Sequence, residues 1–328
     1  MKKEYYYIYC NGILGVKTNS SNFKWIYGSI APTALKEDYE QCIVKFDISV
    51  VSEKKLNDCK SCEHRFQAYK WDEKENMILY RRTFFSKLKI GYNIKFFNNN
   101  VEVCVGKTYL KLIQKRVMNL HGMYYLLSDI ANLMLLKNGF LTLYASSMYY
   151  SPKNRGIVCF APPNAGKTLT ATGLREFPGY CFLGEDIVIT DGKKLFACPW
   201  TSSYRKQNSI IDSAGALGRV SNKRITDIRE NCDLTDLVVL ASGNNGIFRD
   251  KQEIQRQISI LSGYLFNYYS SPILKILAFF NKEYDKPWNE YANKIIKEIS
   301  MDKNCYLIQT KEPLEYSKLI HYNIIGGE

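Results

Sequence analysis

The chain has 328 residues, of which 46% are apolar and 23% charged, a composition typical of a globular protein large enough for two domains. The formal net charge of +13 favours anionic partners such as nucleotides or acidic peptides, whereas nucleic acid is disfavoured because Lys and Arg form no dense basic run. No segment approaches the roughly 20 consecutive apolar residues that span a bilayer, and the N-terminus lacks a signal-peptide core. We therefore expect a cytoplasmic protein without a membrane partner; the sequence does not indicate its oligomeric state.

Residues 1 to about 115 are predicted to form a β-rich N-terminal region. Apolar and β-branched stretches alternate there with turn signals, of which Asn11-Gly12 is among the clearest. The predicted strands are Tyr5–Cys10, Ile13–Thr18, Cys42–Val51, Met77–Phe84, Lys87–Phe97 and Val101–Val105. We expect them to form a small antiparallel domain that contributes a substrate or partner surface rather than catalytic residues.

A helical connector is predicted over about 107–138, and a second domain over 116–328. Apolar residues recur at helical spacing through this stretch, and Asn138-Gly139 is a typical helix stop. A lone histidine in an apolar stretch is more often a core residue than a ligand, so His121 is assigned to the core.

The 10 cysteines are scattered, and most lie in apolar stretches, which predicts reduced core thiols rather than disulfides. Cys59 and Cys62, with His64 close by, have the spacing of half a zinc site. No second C-x-x-C exists in the sequence. A surface loop is therefore the favoured interpretation, with zinc as the alternative.

A phosphate-binding loop is predicted at residues 161–168. The loop reads Ala161-Pro162-Pro163-Asn164-Ala165-Gly166-Lys167-Thr168, which is the pattern G-x-x-x-x-G-K-[ST] with alanine at the first position. An apolar strand precedes it and a helix-compatible segment follows, so backbone N–H groups and a helix N-terminus can converge on a polyphosphate. Lys167 would reach the outer phosphates, and the Thr168 hydroxyl would ligate Mg²⁺.

An acidic pair, Glu185-Asp186, follows the loop helix and precedes an apolar stretch that we predict to be a strand. One carboxylate can hold Mg²⁺ and the other can take a proton; a solvated acidic turn is the alternative. A β-hairpin is predicted to lead into the loop. Its first strand is Leu141–Tyr149, its turn lies at 151–156 and its second strand ends at the loop.

This arrangement of hairpin, loop, helix and acidic pair resembles the C-terminal domain of the HPr kinase/phosphorylase family. The resemblance is closer to the HPr-kinase-like proteins found beside peptide-modification genes, and it covers about the C-terminal two-thirds of the chain. It implies an α/β fold of the HPr-kinase and phosphoenolpyruvate-carboxykinase type. Family members usually carry Leu-His-Ala-Ser before the loop and Asp-Asp or Asp-Glu after it.

Three residues depart from the family pattern: Ala161 for glycine, Tyr144 for histidine and Glu185 for aspartate. An alanine at the first loop position restricts φ and crowds the phosphate. A tyrosine, whose pKa is about 10, cannot perform a histidine's acid–base work at neutral pH. Nucleotide binding should tolerate these departures better than catalysis.

The remainder of the chain alternates predicted strands and helices, as an α/β domain does. Leu234–Ala241 is a predicted strand, and helices are predicted at about 251–261, 264–280, 288–299 and 313–320. Arg249 and the turn Thr201–Lys206 are possible phosphate contacts, with a solvated surface as the alternative for each.

The resemblance and the residues together predict an ATP-binding protein that transfers a phosphoryl group to a hydroxyl of a peptide, protein or small molecule. Lys167 and the loop amides would position the phosphates, Thr168 and Asp186 would hold Mg²⁺, and Glu185 would be the base. The alternative is a catalytically silent nucleotide-binding scaffold in a peptide-modification pathway.

Overall fold

The computed structural model describes residues 3–20, 25–27, 33–56, 62, 64–84, 88–115, 120, 122–198, 228–262, 273–280 and 292–326. The chain divides into two compact units that interleave along the sequence. The N-terminal unit comprises Met1–Ile26, Ala31–Met134 and Ser270–Pro287, and the C-terminal unit comprises Tyr27–Ile30, Leu135–Tyr269 and Trp288–Glu328. No helix among the described residues combines the length and apolar character needed to cross a bilayer.

An eight-stranded sheet with the order β1-β2-β3-β8-β7-β6-β5-β4 forms the centre of the N-terminal unit. Its strands are β1 (Tyr5–Tyr9), β2 (Leu14–Thr18), β3 (Val44–Val51), β4 (His64–Phe66), β5 (Tyr69–Asp72), β6 (Met77–Phe84), β7 (Leu88–Phe97) and β8 (Asn100–Gly106). The helices of this unit are α1 (Lys36–Gln41), α2 (Lys107–Gln114), most of α3 (Met123–Lys137) and α6 (Ile273–Phe280).

The prediction of an antiparallel N-terminal domain is wrong, because β3 pairs in parallel with both β2 and β8. A parallel pair needs a crossover connection, and α1 lies between β2 and β3. Helix α1 has only six residues, too few to show a helical period in the sequence. The six predicted strands are confirmed, whereas β4 and β5 were not predicted.

Tyrosines form much of the core of the N-terminal unit. The ring of Tyr92 is fully buried, stacks on Tyr80 with a centroid separation of 4.9 Å, and meets Tyr109 of α2 edge-on at 5.3 Å. Because α2 follows β8 directly, this contact folds the helix back onto the sheet. The predicted helical stretch 107–138 is not continuous, since Leu120 and Gly122 lie outside α2 and α3. The helix stop at Gly139 is confirmed by its φ of +82°.

A nine-stranded mixed sheet forms the centre of the C-terminal unit. Its strands are β9 (Leu141–Leu143), β10 (Ala145–Tyr150), β11 (Arg155–Phe160), β12 (Tyr180–Gly184), β13 (Val188–Thr190), β14 (Lys194–Phe196), β15 (Asn231–Ser242), β16 (Gly246–Phe248) and β17 (Asn304–Thr310). The helices are α4 (Lys167–Leu174), α5 (Lys251–Ser262), α7 (Ala292–Met301) and α8 (Glu315–Leu319), the last continuing as a π-helical turn over Ile320–Ile325.

Strand β11 lies where the sheet changes direction. It pairs antiparallel with β10, which confirms the predicted hairpin, and parallel with β15 on its other side. Strand β15 pairs in parallel with β17 in turn. The ends of β11, β15 and β17 therefore share one edge of the sheet, the usual position of ligand sites in α/β folds.

An ion pair joins the first residue of β11 to the neighbouring strand β15. The Arg155 guanidinium donates to both carboxylate oxygens of Asp236, a fully buried residue of β15. Asp236 also accepts bonds from Thr235 and from Asn304 of β17. Arg155 donates further to the backbone oxygen of Ile324. One carboxylate thus joins three adjacent parallel strands.

The strand cysteines are free thiols, as predicted, but Cys62 is disulfide-bonded, which the prediction of reduced thiols did not include. Cys62 lies in a connection before β4 rather than in a strand, so no sheet packing buries it as a core residue. A disulfide sulfur is not a thiolate, so Cys62 in this state is not a zinc ligand. Cys59 lies outside the described residues.

Candidate functional site

The phosphate-loop sequence occupies the turn between β11 and α4, at the edge where the parallel strands end. Asn164 and Gly166 both adopt left-handed backbone conformations, with φ of +64° and +103°. Such residues within a turn direct successive N–H groups inward and create an anion-binding concavity. The two left-handed residues are compatible with the predicted phosphate-binding turn. Within the loop, the Ala165 N–H donates to the Pro162 carbonyl oxygen, 3.3 Å away.

Gly166 cannot be replaced at its position without strain. Its φ is unfavourable for any side chain, and an added Cβ would approach the Pro313 Cβ to 3.1 Å. The Gly166 carbonyl also accepts a hydrogen bond from the Thr170 hydroxyl, 3.0 Å away. The first turn of α4 is thereby fixed against the loop.

Ala161, the first departure from the family pattern, is accommodated. Its φ is negative, and it is fully buried in the hydrophobic cluster that also contains Cys159, Ala171 and Leu174. No left-handed backbone is needed there, so glycine is not conformationally required at this position.

Lys167 is the cation of the site, and it is 4% exposed. Its ammonium group donates to the carbonyl oxygens of Ala161, at 2.8 Å, and Pro162, at 3.1 Å. Burial lowers the pKa of Lys167 to about 8, although the negative charges of Asp186 and, to a smaller extent, Glu185 act in the opposite direction. A buried ammonium gains more from an anionic ligand than an exposed one does, because little water screens the attraction.

Tyr144 covers this ammonium group. The lysine Nζ lies 3.9 Å from the centroid of the tyrosine ring, a close cation–π contact. Tyr144 is the single residue between β9 and β10, and it is buried. The residue for which the sequence resemblance predicts a histidine is thus a tyrosine beside the loop lysine.

The acidic pair contacts the first turn of α4 through Thr168. The Thr168 hydroxyl donates a hydrogen bond to Glu185, whose side chain is buried. Asp186 is half-buried and has a left-handed backbone with φ of +63°. The pair follows the end of β12, a strand that the sequence did not predict, and one residue separates it from β13.

Thr168, Glu185 and Asp186 carry oxygen donors of the kind that would serve Mg²⁺ as partial ligands. Mg²⁺ prefers hard oxygen ligands and usually takes one or two carboxylates together with substrate phosphates. Among the described residues no group of three or more His, Cys, Asp or Glu side chains forms a metal cage of its own. These oxygens would therefore hold Mg²⁺ together with nucleotide phosphates rather than alone.

Other predicted positions lie apart from the loop or outside the described residues. The Arg249 guanidinium lies 5.4 Å from the ring centroid of Tyr306, a residue of β17. Thr201–Lys206 and His121 lie outside the described residues. His321, which sequence reasoning did not single out, is buried and stacks on Phe177 at 4.0 Å, so it is a core residue.

Comparison with protein-family models and with curated proteins finds no match to this chain.

Proposed function

We propose that the C-terminal unit binds ATP with Mg²⁺ through residues 161–168 and transfers the terminal phosphoryl group to a hydroxyl. The observation that carries this proposal is the loop lysine, a buried cation held at the mouth of a turn with left-handed residues at Asn164 and Gly166. The resemblance of the sequence to the HPr kinase/phosphorylase family supports the same reaction. The acceptor is a hydroxyl on a peptide, protein or small molecule.

In this reaction the acceptor oxygen forms a bond to the γ-phosphorus while the bond to the β–γ bridging oxygen breaks, and ADP leaves. The acceptor proton passes to a carboxylate of the acidic pair. Lys167 and the loop N–H groups hold the phosphates and stabilise charge on the transferring group. Mg²⁺, when bound, neutralises charge on the phosphate oxygens.

The two carboxylates can divide the work in two ways. The sequence assigns Asp186 to the metal and Glu185 to the proton. The hydrogen bond from Thr168 to Glu185 favours the reverse division, with Glu185 sharing the metal and Asp186 taking the proton. The two arrangements differ in which carboxylate is needed for turnover but not for nucleotide binding: Glu185 in the first and Asp186 in the second.

A catalytically silent nucleotide-binding scaffold is the second candidate function. The close contact of Tyr144 with Lys167 favours it, since a tyrosine occupies the position of the family's histidine. A scaffold needs the phosphate loop but neither a base nor an acceptor site.

Calorimetric titration with ATP and Mg²⁺ tests the loop assignment in the variant Lys167→Ala. We expect affinity to fall about 10-fold to 100-fold, because a hydrogen bond to a charged group contributes about 1.5–3 kcal/mol. Lys318→Ala is the matched control, since it removes an exposed lysine of α8 that pairs with Glu315. Equal affinities of wild type and Lys167→Ala would refute the assignment.

ADP formation then separates kinase from scaffold. A kinase should release ADP when a hydroxyl acceptor is supplied, and a scaffold should bind ATP without releasing ADP under any acceptor. Candidate acceptors are peptides encoded by neighbouring genes.

A further inference from the structure

A groove of about 470 Å³ opens in the N-terminal unit, and its position follows from the sheet topology. Strands β2, β3 and β8 are adjacent and parallel, so their carboxyl ends meet at one edge of the sheet. Residues that follow each strand line the groove: Asn19 and Ser20 after β2, Ser52 after β3 and Lys107 after β8. This is the edge at which ligands bind in sheets with parallel strands.

Three lysines from distant parts of the sequence converge on this groove. Lys3 precedes β1, Lys55 lies in a short 3₁₀ turn after β3, and Lys107 begins α2. All three are exposed, and none of the described residues that line the groove is acidic. Within the part of the chain that the structure describes, none of the three forms an ion pair. No carboxylate oxygen of the described residues therefore lies within 4 Å of these three ammonium groups.

One carboxylate already occupies the neighbouring helix end. Glu53 accepts a hydrogen bond from the backbone N–H of Thr108 in the first turn of α2. This contact occupies an amide that would otherwise favour a phosphate at the helix N-terminus. The described lining includes no arginine, although a guanidinium fork is the side chain best matched to phosphate oxygens.

These features select among anionic ligands. Three flexible ammonium groups act as separate point charges, which suits several single-charge carboxylates better than one phosphate. The groove volume lies within the ~300–1,000 Å³ range of ligand sites and accommodates several side chains. The aliphatic residues Val50 and Val51 and the ring of Tyr5 provide apolar surface for the stems of such side chains.

We propose that this groove binds an acidic peptide segment through its Asp or Glu side chains. The site belongs to the N-terminal unit and does not depend on nucleotide binding at the phosphate loop.

Fluorescence anisotropy with dye-labelled hexaglutamate tests the proposal, with hexaglutamine carrying the same dye as the neutral probe. The full-length double variant Lys55→Gln/Lys107→Gln should bind hexaglutamate up to about tenfold more weakly, since two exposed ion pairs are lost. The matched control is Lys54→Gln/Lys111→Gln, which removes two exposed lysines from the same two elements but outside the groove. We expect the control to change affinity less than twofold, and circular dichroism should show both variants folded.

Three outcomes would overturn the proposal: equal binding of hexaglutamate and hexaglutamine to wild type, equal weakening by the two double variants, or specific displacement of the peptide by inorganic phosphate. The last result, measured against sodium chloride of equal ionic strength, would assign the groove to phosphate. Lys167→Ala should bind hexaglutamate as wild type does. Because Lys167 lies in the phosphate loop and not in the groove, its replacement tests the nucleotide assignment without testing the peptide proposal.

Discussion

The affinity for ATP should fall steeply as the pH rises, because the loop lysine loses its proton in an accessible range. Burial lowers the pKa of Lys167 to about 8 in the free protein. Bound phosphates favour the ammonium form and raise this pKa again, so binding requires the protonated lysine. If the pKa of the complex lies above 9.5, the affinity follows the protonated fraction of the free protein, which falls about 25-fold between pH 7.5 and 9.5.

Calorimetric titration across this pH range measures the effect. The phosphates of ATP titrate mainly below it, with a pKa of about 6, and therefore contribute little to the change. Lys167→Arg provides a control with a permanent charge, since a guanidinium remains protonated throughout. We expect the arginine variant to change affinity less than threefold over the same range.

Two results would refute this reasoning. An affinity of wild type that stays constant from pH 7.5 to 9.5 would mean that the lysine keeps its proton or does not contact the phosphates. An equal decline in Lys167→Arg would place the titrating group elsewhere. Lys167→Met, without any cation, should bind weakly at every pH.

The remaining predictions concern the acidic pair, the stability of the fold and the buried ion pair. If Glu185 is a metal ligand, Glu185→Gln should weaken binding of ATP with Mg²⁺, and Asp186→Asn should abolish ADP formation while ATP still binds. If instead Asp186→Asn weakens binding and Glu185→Gln abolishes only ADP formation, the assignment made from the sequence is supported. Wild type should also become more stable relative to Lys167→Met as the pH rises from 8 to 10. The unfolded chain holds the Lys167 proton more tightly than the folded protein does, so the difference in the free energy of unfolding should increase by up to about 1.4 kcal/mol per pH unit. Urea unfolding at each pH checks this, and a constant difference would contradict it. Asp236→Ala should cost about 3 kcal/mol, because it removes a fully buried carboxylate and leaves the half-buried Arg155 guanidinium without its partner. Asp233→Ala, on an exposed position of the same strand, should stay within about 0.5 kcal/mol.

Features encoded over short stretches were predictable from the sequence. The strand before the loop and the helix after it both follow from a local pattern of residue types. The hairpin of β10 and β11 was predictable for the same reason, since its turn residues lie between two apolar runs. The mixed α/β class follows from the alternation of such segments.

Features that depend on distant residues were not predictable. The parallel pairing of β3 with β8 joins strands separated by four others in the sequence, and no local period encodes it. The cation–π contact of Tyr144 with Lys167 arises because the sheet brings the break between β9 and β10 beside the loop. The acidic pair was recognised by composition, but its position after β12 depended on a strand whose five residues show no alternation of apolar and polar side chains.

The parallel pairing of β11 also has a consequence for biosynthesis. Gly156 of β11 pairs with Leu234 of β15. During translation, β11 therefore emerges from the ribosome roughly 80 residues before the strand with which it pairs. At about 5–20 residues per second that interval is about 4–16 s. The β10 hairpin covers one edge of β11 at once, while the other edge, with its apolar run Ile157–Phe160, has no β15 to pair with. An uncovered apolar edge is prone to aggregation, so we expect the yield of soluble protein to rise when synthesis is accompanied by a chaperone that binds unfolded chains.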